Sequence, residues 1–169
     1  MPNQARQEKI SRFEDFNFSP RDSGRSAPKF HDNDVRSIEI QPASGKGGTT
    51  TVKMIFFDRE EKVERIVCLK NCVNIRFSLD LDILVANSSS ATDSAGQTSN
   101  VEINDCNDCI SRLIKQGMAD WNVEYPPNKD TPASYKLWRL NEFILIKVLL
   151  HGGILEIVCR DFELDTVAA

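Results

Sequence analysis

Val73-Asn74-Ile75-Arg76-Phe77-Ser78-Leu79-Asp80-Leu81-Asp82-Ile83 places a large apolar side chain at every second position. The residues between them, Asn74, Arg76, Ser78, Asp80 and Asp82, are polar or charged. A period of two belongs to a β-strand with one buried and one wet face. On a helix the same side chains would scatter around the circumference. A one-residue slip would turn six apolar side chains to water, so the pairing register is strongly determined.

The segments on either side extend this pattern. Asp34–Ile40, Thr49–Phe57 and Lys62–Leu69 read as three strands, rich in β-branched and aromatic residues. Gln41–Gly48 joins the first two through Pro42, Gly45, Gly47 and Gly48, and Asp58–Glu61 is a charged turn. Downstream, the Ser/Thr/Asn-rich stretch Asn87–Asn100 reads as a loop. A short helix is expected over about 105–117. Asp105 or Asn107 would cap it, Ile110, Leu113 and Ile114 form its apolar stripe, and Gly117 would end it. Trp121–Ser134, with three prolines, reads as another loop. Tyr135–Leu150 and Ile154–Leu164 form a closing hairpin around His151-Gly152-Gly153. The expected fold is mainly β, an antiparallel sandwich or curled sheet of about six strands with one short helix.

Residues 1–29 differ in character. They carry a local charge of +2 and leave −6 for the rest of the chain. Pro20, Gly24 and Pro28 interrupt any regular element. The segment is expected to be a flexible or loosely docked tail ahead of a single β-rich domain over 30–169. Phe13, Phe16 and Phe18 are the exception, because rings so close together mark a segment that packs somewhere.

With 169 residues the chain suits one domain with its own core. A net charge of −4 weighs against duplex nucleic acid and favours a basic protein partner. No apolar run reaches the ~20 residues of a membrane span. The polar N-terminus lacks a signal-peptide core. Five cysteines, an odd number, cannot form a closed disulfide framework within one chain. These features predict a cytoplasmic protein.

Several constellations could carry chemistry. Gly45-Lys46-Gly47-Gly48-Thr49-Thr50 lacks the spacing of a phosphate loop and lies between strands, so a glycine-rich hairpin explains it. Cys68, Cys72, Cys106 and Cys109 supply a C-x-x-x-C and a C-x-x-C that could hold a structural zinc. Against that, Cys109 falls where a helix begins and Cys72 opens the long strand. The redox reading of C-x-x-C calls for a βαβ context that is not evident. Reduced cysteines, with Cys159 buried, are the plainer expectation, and no cofactor or metal is assigned. His31, Asp32 and Asp34 could bind a metal or pair as base and orienter, or simply cap the entry to the sheet. His151 reads as a turn residue. Asp80 and Asp82 share one strand face, where they can serve catalysis, solvation or contact with a basic surface.

Phe30-His31-Asp32, followed by Asp34-Val35-Arg36-Ser37-Ile38, resembles the opening of several families of small bacterial proteins of unknown function. Some of these are classed as immunity proteins of toxin–immunity systems. The stretch from Gly152-Gly153-Ile154-Leu155-Glu156-Ile157 to Asp161-Phe162-Glu163-Leu164 is similar to their ending. The long loop Asn87–Asn100 departs from the compact members. The resemblance implies an all-β domain without catalytic residues and with a protein-binding role. The expected function is therefore non-enzymatic protein binding, with Arg76, Asp80, Asp82, His31 and Asp32 as contact residues. The alternative is a small-molecule or metal-binding β domain built on His31 and Asp32, with the cysteines as further candidates.

Overall fold

The computed structural model describes residues 4–44, 48–79, 97–120 and 139–169. Helix α1 spans Gln4–Phe18 and α2 spans Asn107–Asp120. The strands are β1 Asp34–Gln41, β2 Thr50–Asp58, β3 Val63–Cys72, β4 Asn74–Leu79, β5 Thr98–Asn104, β6 Ile144–Leu150, β7 Gly153–Cys159 and β8 Asp161–Ala168. They form two antiparallel four-stranded sheets in the orders β1-β2-β3-β8 and β4-β7-β6-β5. The fold is mainly β, as expected, with eight strands among the described residues rather than about six.

Alternation makes the core. On β2, Val52, Met54 and Phe56 are buried, as are Val67 and Leu69 on β3. Ile144, Ile146 and Val148 of β6 and Leu155, Ile157 and Cys159 of β7 pack against them from the second sheet. Each fully buried side chain of this size contributes roughly 1.5–3 kcal/mol of transfer free energy.

The two sheets share a corner. β3 runs into β4 through Val73 alone, and β7 runs into β8 through Arg160. Backbone bonds carry the ladder across it, Val73 N–H to Val158 O at 2.9 Å and Arg160 N–H to Lys70 O at 3.2 Å. Asn71 adopts a left-handed conformation (φ 54°) just before the bend, where asparagine is tolerated. A bulge places both Lys70 and Asn71 between Leu69, opposite Val52, and Cys72, opposite Thr50, and so turns Cys72 inward, next to buried Cys159.

Three expectations need correction. The expected loose tail is a docked helix over residues 4–18. α1 bridges the edge strands β5 and β8: Asn17 donates to Val101 O at 3.1 Å, and Arg12 donates to Phe162 O at 2.9 Å. Phe13 is in the core, 5.6 Å from the Phe162 ring and 6.0 Å from that of Phe30. Second, the end of the supposed loop Asn87–Asn100 is strand, because β5 begins at Thr98. Third, the polar face of β4 is covered by α2 at its start. The Asn74 side chain donates to Leu113 O at 3.2 Å, and Arg76 donates to Gln116 at 3.0 Å. The strand's apolar face behaves as read for Ile75, which joins the core, but Phe77 is half-exposed and Val73 packs on the other side, in the cluster with α2.

The expected stripe on α2 is confirmed: Ile110, Leu113 and Ile114 are buried with Phe143, Leu145 and Val158 on the outer face of the second sheet. Among the described residues no helix is long and apolar enough to cross a membrane.

Candidate functional site

Asp58 and Arg65 occupy the buried phase of β2 and β3, in line with Phe56 and Val67. A charge in that phase must be paired to be tolerated. Arg65 donates to Asp58 at 2.9 Å and to Glu61 at 2.5 Å. The other Asp58 oxygen accepts the backbone N–H groups of Glu60 and Glu61 at 2.9 and 3.0 Å. Arg21 joins this network from the segment after α1, 3.9 Å from Asp58 and 3.5 Å from Glu60.

The two buried arginines fix the loop that carries the first histidine. Arg21 donates to Pro28 O at 2.6 Å, and Arg65 donates to Lys29 O at 3.2 Å. From the other side, Asp32 N–H donates to Thr98 O at 2.8 Å, and the Thr98 hydroxyl donates to Phe30 O. Asp32 itself lies in the left-handed region (φ 59°). The second histidine arrives on the β6–β7 turn, where His151 N–H donates to Gln97 O at 3.0 Å.

The result is a cleft of about 580 Å³ lined by Arg21, Arg25, His31, Asp32, Asp58, Arg59, Glu60, Gln97 and His151, with Ala27. Both histidines of the chain line it. Its three arginines are matched by three carboxylates, but the two sets differ in what they still offer. Asp58 is saturated, Glu60 holds Arg21 and Arg25, and Asp32 Oδ2 is 2.9 Å from His31 Nδ1. By contrast, Arg21 Nε is buried with no hydrogen-bond partner among the described residues. Arg59 is held by Asp34 at 2.6 and 2.9 Å. That hydrogen bond, and then the charge of Asp34, push the Arg59 pKa up.

The predicted site residues are thereby separated. His31 and Asp32 line the cleft. Asp34 is taken by Arg59, and no group of three ligating side chains suited to a metal ion occurs among the described residues. Arg76 lies on β4 beside α2 and is not part of the cleft lining. Asp80 and Asp82 lie outside the described residues. The four cysteines weighed for zinc do not converge. Cys68 is on the outer face of β3, Cys72 points into the core, and Cys106 and Cys109 open α2.

Sequence reasoning missed Arg21, Arg25, Asp58, Arg59, Glu60, Gln97 and the role of His151. One signal was available: Asp58 and Arg65 interrupt the apolar phase of neighbouring strands with opposite charges. No protein-family model, curated protein or solved structure matches the chain.

Proposed function

We propose that this protein is a non-enzymatic binding domain whose cleft receives a carboxylate- or phosphate-bearing small molecule. The observation that carries this reading is a buried donor at a two-histidine cleft: Arg21 Nε has no hydrogen-bond partner among the described residues, and His31 and His151 stand at the wall. The volume falls in the ~300–1,000 Å³ range usual for small-ligand sites. Among the described residues the cleft lining holds no serine, threonine, cysteine or lysine, and its carboxylates Asp58 and Glu60 are bound to arginines, which supports binding over covalent catalysis. His31 and Asp32 have the spacing of a base and its orienter, but both are well exposed, at 47% and 61%.

The test is calorimetric titration with citrate and with inorganic phosphate, on the wild-type chain and on His151→Ala and Arg25→Ala. Saturable binding weakened at least several-fold by both substitutions is expected. Heat unchanged by the substitutions, or no heat with either anion, overturns the reading.

A second reading is a protein contact of the immunity type. It is supported by the resemblance of the two terminal motifs and by Phe77, 50% exposed near the end of β4. Net negative charge suits a basic partner. Co-purification lost on Phe77→Glu and at high salt would support it. Capture unaffected by both would remove it.

A further inference from the structure

Cys106 and Cys109 stand at the start of α2, away from the cleft. Their sulfurs lie 2.7 Å apart, and both residues are half-buried. Cys106 precedes the helix and acts as its cap, its sulfur accepting the Cys109 N–H at 3.3 Å. The Asn104 side chain fixes the cap by accepting the Cys106 N–H at 3.2 Å. Across from it, buried Arg6 of α1 donates to Asn107 at 2.8 Å, and its Nε and Nη2 have no partner among the described residues.

We propose that Cys106 and Cys109 form a thiol–disulfide exchange site that reacts with low-molecular-weight disulfides. The thiols need to close by less than ~1 Å to reach the ~2.05 Å of a disulfide. Their two-residue spacing across a helix start is the one in which a first cysteine becomes a competent thiolate. That chemistry follows local geometry and does not require a particular fold.

The groups facing the pair divide the labour. Hydrogen bonding with Cys109, first through its thiol and then through its N–H, holds the Cys106 thiol below the usual range. The charge of Asp108 acts in the opposite sense. The same thiol contact, and then burial, push Cys109 up, with Lys147 and Arg112 opposing. For Arg6, burial disfavours the charge, while Asp105 and then Cys106 favour it. Cys106 is therefore the attacking sulfur and Cys109 the resolving one.

The exchange balances in two steps. The Cys106 thiolate attacks one sulfur of glutathione disulfide, a Cys106–glutathione bond forms, and one glutathione thiolate leaves and is protonated. Cys109 then loses its proton to solvent and attacks the Cys106 sulfur, and the second glutathione leaves as a thiol. The pair is oxidised by two electrons and the glutathione disulfide is reduced to two thiols.

The full chain is to be incubated with glutathione disulfide, alkylated and mapped by peptide mass. Loss of alkylation at both Cys106 and Cys109, with the mass of an internal disulfide and no adduct, is expected. Cys68 can give at most a mixed disulfide. In Cys109→Ser, which keeps a hydrogen-bonding group, the glutathione adduct should persist on Cys106. In Cys106→Ser, Cys109 should react at least tenfold more slowly than Cys106 does in the native chain. Unchanged alkylation of both residues, one separate adduct on each, or primary attack by Cys109 would overturn the proposal.

Discussion

Asp58 holds two arginine side chains and two backbone N–H groups while only 4% of its side chain meets solvent. Removing it leaves Arg65, 1% exposed, with Glu61 as its remaining carboxylate, and strips buried Arg21 of one of its two acidic neighbours. Asp58→Ala is therefore expected to cost about 3–5 kcal/mol, read from the midpoint of urea unfolding. Replacing both partners by apolar residues should recover part of that loss, because neither charge then needs desolvating. At the same scale, Cys106 offers a pH test. Contact with Cys109 lowers its pKa, so Cys109→Ala should move the midpoint of its alkylation rate to higher pH. An unmoved midpoint would show that Cys109 does not tune its neighbour.

Among the elements, α1 shows where sequence reading ends. The alternation at Val73–Ile83 announces a strand because half its residues are apolar in strict phase. α1 buries only Arg6, Phe13 and Asn17, two of them polar, so its buried stripe does not stand out from its surface. Asn17 is satisfied by β5 and the Phe30 backbone, partners that no local pattern reveals. Phe13→Ala should cost about 3–5 kcal/mol if the helix is as integral as its ring contacts indicate. A loss below ~1 kcal/mol would return the segment to the status of a loose tail. β5 was hidden for another reason: its ladder to β6 lies beyond a polar run whose composition signals a loop. The site was legible in part. His31 and Asp32 stood out as a chemical cluster, whereas Arg21, Gln97 and His151 come from distant points of the chain and meet only after folding.

For the whole molecule, the shared corner decides how cooperative unfolding is. The β3–β4 segment pairs with β7–β8 over residues almost a hundred positions away, as in Lys70 with Asp161 and Asn74 with Val158. Hydrogen exchange should therefore protect the two sheets to similar depth. Well-separated protection in the two would mean that they open independently. β7 sits between β4 and β6 and is the later in sequence of each pair. Among the described strands, β4 of a chain emerging from the ribosome thus has no sheet neighbour until residues 153–159 have been made. An unpaired strand edge of this kind is a template for association with other chains, so the interval before β7 emerges is when the nascent chain is most exposed to aggregation.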